Sequence, residues 1–235
     1  MTEVINSPLF GILISLVCFE ISTILYSKFK FPLLNPLLIS VLIIIFILTI
    51  FNVNFEQYNL GGHFISFFLG PATVVLAVPL YNKLDLLKSN LLPLLGGIFV
   101  GSIVGIFSII ILSKVVNLDL DIIKSLAPKS VTVPIGVEIS KTLGGIPSLT
   151  VFSIIVTGIL GSIIGPFIFK IFKIEDSLSK GVALGTSSHA LGTAKAFELG
   201  ETEGAISSIC IGVAGIMTVF LVPLIYNICS KILGI

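Results

Sequence analysis

Long runs of apolar residues, separated by short polar segments, recur along the whole chain. A helix needs about 20 apolar residues to cross a hydrocarbon core of about 30 Å. No basic segment precedes the first run, which also contains Glu20, so we interpret it as a retained helix rather than a cleavable leader. The five runs predicted to span a membrane are Pro8–Tyr26, Pro36–Phe51, Leu91–Val115, Pro147–Phe172 and Ala205–Leu233.

Three other regions are apolar but are interrupted by glycine, proline, serine and threonine. They are Gly61–Lys83, Ala127–Lys141 and Lys180–Leu199. Proline removes a backbone donor, and carbonyl groups left unpaired at membrane depth are tolerated only beside protein or a water-filled cavity. The prolines in the first two regions are Pro71, Pro79, Pro128 and Pro134. The pattern predicts broken or re-entrant helices in all three regions.

The predicted fold is an all-α polytopic membrane protein with about six to eight transmembrane or re-entrant helices. We expect residues 1–235 to form a single transmembrane domain. A shift of 115 places (184 minus 69) lays Leu69 and Gly70 over Leu184 and Gly185. This match predicts an inverted repeat with halves at about 61–117 and 180–235, an arrangement typical of transporters. Chance similarity between two apolar sequences is the alternative.

The lysines predict how the chain is oriented, because positive charges beside spans prefer the cytoplasm. The groups at 28–30, 83–88 and 170–180 are predicted to be cytoplasmic together. The segment Ala127–Lys141 would then dip into the membrane from outside, while Lys180–Leu199 starts from the cytoplasmic face. The two segments are therefore expected to approach each other from opposite sides. Lys114 and Lys141 do not fit this scheme.

Composition excludes an ordinary soluble protein, since 55% of the residues are hydrophobic and only 11% are charged. Cys18, Cys210 and Cys229 lie within apolar segments without metal-ligand spacing, which is typical of small buried side chains. No motif of a soluble hydrolase or nucleotide-binding enzyme is present. We therefore expect no enzymatic activity, no cofactor, no metal site and no nucleic-acid partner.

The densest polar cluster lies in the third interrupted region, within Gly185–Lys195. Hydroxyl groups supply neutral donors and a histidine supplies positive charge, which suits a small carboxylate at a helix end. The predicted substrate-binding residues here are Ser187, Ser188, His189 and Thr193. His189 could also exchange a proton near neutral pH, or it could simply donate a structural hydrogen bond. Lys195 either takes part in the site or extends to the membrane interface.

Thr132 and Glu138 are the predicted binding residues of the middle interrupted region. A carboxylate within a membrane is costly unless it is paired, so Glu138 is either a proton site or an ion-pair partner of Lys129 or Lys141. The alternative is that Glu138 lies in water at the membrane boundary. Glu203, in the polar link after the third region, is expected to be a solvated loop charge.

The sequence resembles the LrgB/CidB family at three segments. They are LGPATVVLAVPLY at Leu69–Tyr81, KSVTVPIGVEIS at Lys129–Ser140 and GTSSHALGTAKA at Gly185–Ala196. The resemblance covers essentially the whole chain. It implies that the protein resembles antiholin-like or holin-like regulators of murein hydrolases and cell lysis, which work with a small LrgA/CidA-type membrane protein. The related plant plastid protein carries glycolate and glycerate, and some bacterial pairs are linked to pyruvate movement.

Taken with the polar cluster, the resemblance favours a carrier of small hydroxy- or keto-carboxylates, coupled to protons, that works by alternating access. The alternative is an antiholin-like regulator of murein hydrolase activity and cell lysis. We expect the protein in the cell (cytoplasmic) membrane. The expected partners are the lipid bilayer, a small carboxylate anion, an LrgA/CidA-type membrane protein and further copies of the chain in a homo-oligomer.

Overall fold

A computed structural model describes residues 5–29, 34–68, 71, 81 and 84–233. Regular structure within these residues is helical, and the chain divides into two compact units, Met1–Val75 and Leu76–Ile235. The predicted broken segment Gly61–Lys83 lies largely outside the described residues. The inverted repeat that includes this segment therefore stays a prediction.

The first unit contains three helices: α1 (Pro8–Phe29), α2 (Pro36–Ile50) and α3 (Phe55–Phe67). Asn35 caps α2, because its side-chain oxygen accepts hydrogen bonds from the Leu37 and Leu38 amides. Helices α1 and α3 pack closely at Gly11 and Gly61, where a Cβ atom on either glycine would collide with the other helix's backbone.

The second unit contains α4 (Leu84–Ser89), α5 (Leu91–Val115), α6 (Leu120–Leu126), α7 (Val133–Leu143), α8 (Pro147–Ile171), α9 (Ser177–Leu199) and α10 (Glu201–Leu233). Helices α1, α5, α8 and α10 are long and apolar enough to cross a membrane, and α2 is a shorter apolar helix. Each predicted span coincides with one of these five helices to within a few residues. The prediction of an all-α polytopic membrane protein is confirmed.

Helix α9 is a re-entrant hairpin, which we call the α9 hairpin. Its helical course is interrupted at His189, where φ is 42° and ψ is −130°. Beyond this break Gly192 lies against the Leu184 carbonyl, although these residues would be about 12 Å apart along a continuous helix. At the open end, the Ser177 hydroxyl donates to a Glu203 carboxylate oxygen at 2.8 Å. The broken helix predicted in this region is confirmed.

The tip of the α9 hairpin reaches the middle of α8. Counting backwards along α8, Gly165 faces Leu184 and Gly158 faces the His189 ring. The first half of the hairpin is therefore antiparallel to α8. Gly158 lies near the centre of the membrane-length helix Pro147–Ile171, so His189 lies beside the middle of that helix.

Helices α6 and α7 form a second re-entrant segment, the α6–α7 hairpin. Pro134 lies in the first turn of α7, and Gly144 ends it with a φ of 76°, so the sequence carries both boundary signals. Helix α7 runs back along the start of α8, where the Thr150 hydroxyl donates to the Ser140 hydroxyl at 2.7 Å. Ser130, in the turn between α6 and α7, lies beside Gly105 near the middle of α5.

The two hairpins enter from opposite ends of the helices that span the membrane. The α6–α7 hairpin lies between the end of α5 and the start of α8, whereas the α9 hairpin lies between the end of α8 and the start of α10. This arrangement agrees with the predicted approach from opposite sides. Which side is cytoplasmic stays a prediction.

The expected solvation of Glu203 is wrong. Helix α10 begins at Glu201, so Glu203 lies in its first turn, and its residue surface is only 8% exposed. A buried carboxylate needs a hydrogen-bond donor, and the Ser177 hydroxyl supplies one. The three cysteines are free and buried, as predicted.

Candidate functional site

A cavity of about 910 Å³ lies within the second unit where the two hairpins approach each other. Helices α5 and α8 and the first half of the α9 hairpin form its walls, and the turn of the α6–α7 hairpin contributes Lys129 and Ser130 to its lining. Its polar side chains are Lys129, Ser130, Thr157, Ser179, Thr186, Ser187 and Ser188. The remaining lining is apolar or glycine, so the cavity is a mainly apolar space with a few polar groups, as in many small-molecule sites.

Glycines on α5 and α8 allow the α9 hairpin to pack closely along the wall of this cavity. Gly97, Gly101 and Gly105 follow one another at four-residue intervals and so share one face of α5. On α8, a Cβ atom at Gly161 would collide with the Ser188 hydroxyl. The hairpin can therefore place Ser188 against α8 only because position 161 has no side chain.

Ser187 and Ser188 are the two predicted binding residues that line the cavity. Their hydroxyl oxygens are 2.9 Å apart, and the Ser187 hydroxyl also donates to the Ala183 carbonyl at 2.7 Å. Both residues lie in the last turn before the break at His189. The break ends the helix beside them and places the pair at the deepest part of the hairpin.

His189 and Thr193 lie behind the cavity rather than on its wall. The His189 ring is buried, and its Nε2 is 3.0 Å from the Ile154 carbonyl oxygen, so this nitrogen carries the proton and donates. Thr193, on the returning half of the hairpin, shares a 2.7 Å hydrogen bond with the Ser207 hydroxyl of α10. These two contacts attach the tip and the returning half to neighbouring helices.

Thr132 and Glu138 lie apart from the serine pair. Thr132 precedes α7 as its N-cap residue and does not line the cavity. Glu138 pairs with Lys141 at 2.8 Å, with 71% of the glutamate side chain exposed. It borders a separate cavity of about 410 Å³ between α7 and α10. Glu138 was predicted to be a proton site, an ion-pair partner of Lys129 or Lys141, or a carboxylate in water. The structure shows the ion pair with Lys141, at an exposed position.

The sequence did not predict that Lys129 lines the cavity. Lys129 precedes Ser130 in the turn of the α6–α7 hairpin, and its Nζ donates to the Ser130 hydroxyl at 3.3 Å. No carboxylate in the described part of the chain lies within ion-pair distance of this ammonium group. Its position in the motif KSVTVPIG, beside a proline break, was the only signal available in the sequence.

Charged groups near the open end of the α9 hairpin are engaged locally. Asp176 caps the hairpin, and hydrogen bonds from the Ser179 side chain and backbone hold the pKa of its carboxyl below the ordinary value. Lys195 pairs with Glu198 at 2.6 Å. Among the described residues, no cluster of three or more histidine, cysteine or acidic side chains is placed to hold a metal ion.

Comparison with known proteins identifies the family. The sequence profile of the LrgB-like family matches residues 15–228. The antiholin-like protein LrgB of Bacillus cereus (strain B4264) is 40% identical over 219 residues, which cover 93% of this chain and 95% of the relative. The antiholin-like protein LrgB of Bacillus anthracis (strain CDC 684 / NRRL 3495) matches to the same extent. No solved structure matches the chain. The protein belongs to the LrgB-like family.

Proposed function

We propose that this protein acts as an antiholin-like membrane protein in the cell membrane. The observation that supports this function is 40% identity to proteins of that name over 93% of the chain. An antiholin opposes a membrane protein that makes lesions by oligomerising, so its action depends on contacts between spans. The proposed partner is a small LrgA/CidA-type membrane protein, in line with the resemblance found in the sequence.

Complementation tests this function. A Bacillus cereus strain lacking its antiholin-like relative should show an altered rate of lysis, and expression of this chain should restore the original rate. Gly185→Val, which disrupts packing of the α9 hairpin, should not restore it. Gly212→Ala should, because a Cβ atom at that position meets nothing within 4 Å. Failure of wild-type protein that is inserted in the membrane would contradict the proposal.

A second function, carriage of small carboxylates, is favoured by one observation. Two re-entrant hairpins enter from opposite ends and border one cavity of about 910 Å³ at the middle of the spans. Helix breaks that meet near the midplane are typical of secondary transporters, where rocking of one part exposes the site to each side in turn. The two functions are compatible, because a carrier that changes acid or proton balance would influence lysis indirectly.

Uptake into liposomes tests the carrier function. Purified protein should take up labelled glycolate, glycerate, pyruvate or lactate in a saturable manner, and an inward proton gradient should increase the rate. Joint replacement of Ser188, His189 and Thr193 by alanine should abolish uptake, since it removes a cavity hydroxyl and two anchors of the hairpin. Unchanged uptake by a correctly inserted triple variant would contradict this site. Single Thr132→Val and Glu138→Gln variants should have smaller effects, because neither residue lines the cavity.

A further inference from the structure

The large cavity carries one formal positive charge and no negative charge among its described lining residues. Lys129 is the charged member of that lining, and the other polar members are serines and threonines. The acidic groups that the structure describes on the same hairpin lie outside the cavity: Asp121 pairs with Lys124, Glu138 pairs with Lys141, and Asp119 precedes α6 as its N-cap residue. The cavity is therefore electropositive.

The position of this charge makes it costly. Ser130, the next residue, lies beside Gly105, near the centre of α5, and Thr157 of the same cavity lies near the centre of α8. An ammonium group at this depth loses much of its hydration, and such a group is expected to pair with an opposite charge. The Ser130 hydroxyl, at 3.3 Å, is a neutral and distant acceptor. It does not replace a counter-ion.

The rest of the lining suits one small anion rather than a second protein charge. On the opposite hairpin, the Ser187–Ser188 pair has one hydroxyl proton that is not donated to the Ala183 carbonyl, and Gly105 leaves room beside Ser130. Ser130 lies beside Gly105 and Thr186 beside Gly101, one turn apart on α5, so an anion that contacts Lys129 and the serine pair would bridge the two hairpins. One positive charge balances one negative charge, so a second charge on the ligand would remain unpaired in a mainly apolar space.

We propose that Lys129 is the counter-charge of an anion site in this cavity and that it restricts the site to ligands with a single negative charge. This inference rests on the carrier function proposed above and names the recognition chemistry of its site. The ammonium group supplies charge from the α6–α7 hairpin, and the hydroxyl pair of Ser187 and Ser188 supplies one hydrogen bond from the α9 hairpin. The bound anion is the contact through which the two hairpins are held together.

Equilibrium binding to the purified full chain in detergent tests the inference without requiring transport. Three two-carbon probes of similar size are compared: glycolate with one negative charge, oxalate with two and glycolamide with none. Loss of a hydrogen bond to a charged group weakens binding by roughly 10- to 100-fold, so Lys129→Gln should reduce glycolate affinity by that factor. Lys129→Arg keeps the charge and should stay within about threefold of wild type. Oxalate should bind wild-type protein at least about tenfold more weakly than glycolate.

Lys124→Gln is the matched control, because it removes the same charge from the same hairpin at a residue already paired with Asp121. It should leave glycolate binding unchanged, and Lys129→Gln should leave the weak binding of glycolamide unchanged. Circular dichroism and gel filtration establish that each variant is folded.

The outcomes separate this inference from the carrier function. The role of Lys129 would be overturned if Lys129→Gln bound glycolate as tightly as wild type, or if oxalate bound as tightly as glycolate. Saturable uptake into liposomes would still support the carrier function in either case. Glycolate binding that depends on Lys129 without any uptake would support the anion site and count against carriage. Absence of glycolate binding by folded wild-type protein would overturn the inference.

Discussion

The two re-entrant hairpins break their helices by different chemistry. In the α6–α7 hairpin the break is a turn of several residues with Pro128 inside it and Pro134 just after it. In the α9 hairpin the helix is interrupted at a single residue, His189, whose positive φ is a conformation that glycine normally adopts. The prolines allow the break in the α6–α7 hairpin to be predicted from the sequence. The break at His189 exists because contacts with neighbouring helices hold its backbone in this conformation.

Those contacts are unusually close for the α9 hairpin. A Cβ atom at Gly181 would be 2.7 Å from the Glu203 carbonyl oxygen, and one at Gly185 would be 2.5 Å from the Ser207 carbonyl oxygen. Both hairpins carry ion pairs and a buried hydrogen bond, but the closest contact of a Cβ atom at Gly136 in the α6–α7 hairpin would be with the end of the Ile154 side chain, which can move. The α9 hairpin is therefore held against the backbone of α10, where packing leaves little room for an added side chain.

Gly185→Val is expected to have the largest effect. Its Cβ atom would meet both the Ser207 carbonyl and the Cys210 side chain of α10. The helix backbone at Ser207 cannot move aside without disrupting α10. We expect a loss of about 3 kcal/mol in stability, measured by denaturation in mixed detergent micelles. Gly212→Ala, in α10 itself, provides the control and should leave stability unchanged or raise it by up to about 1 kcal/mol. Equal stability of the two variants would show that close packing does not hold the hairpin.

Thr193→Val should have the next largest effect. It leaves the buried Ser207 hydroxyl without its partner, which costs about 2 kcal/mol. The same substitution at Thr186 is the control. The Thr186 hydroxyl is buried beside the Cys210 thiol, a weak hydrogen-bonding group, and makes no hydrogen bond of normal geometry. Thr186→Val should be neutral or stabilising in the same assay. A matching loss at both positions would assign the effect to shape rather than to hydrogen bonding.

The sequence predicted spans better than it predicted the site, and the reason is physical. Apolar length is a local property, so α5 could be placed with its observed bounds. The partner of a charge is a tertiary property: Glu138 was assigned Lys129 or Lys141 with equal reason, and only the fold shows the Lys141 pair. The same limitation hid the position of Lys129 in the cavity and the burial of Glu203 against Ser177.

A pair of variants at His189 measures the strain at the break. Both His189→Gly and His189→Ala lose the hydrogen bond to the Ile154 carbonyl, but only glycine adopts a φ of 42° without strain. We expect the glycine variant to be the more stable of the two by about 1 kcal/mol, from their denaturation midpoints. The opposite order would mean that the observed backbone angle carries no strain.

Asp176→Asn should have the smallest effect. Both residues cap helices, but the carboxylate also interacts favourably with the positive helix end by about 0.5 kcal/mol. Because the Ser179 hydrogen bonds lower the pKa of Asp176 in the folded state, this advantage is present above the unfolded pKa. It is lost as the pH falls through the folded pKa. Thermal stability of wild type and variant should therefore converge on acidification, and a constant gap would contradict the charge effect.

The contact between Ser177 and Glu203 has a consequence for membrane topology. It joins the entrance of the α9 hairpin to the beginning of α10, so the chain leaves the membrane where it went in. The 23 residues of α9 therefore add no crossing, although their length is that of a span. Counting α9 as a crossing would assign the C-terminal end of α10 to the opposite compartment. The parity of crossings in this chain therefore depends on the return of α9 at His189, which no hydropathy plot displays.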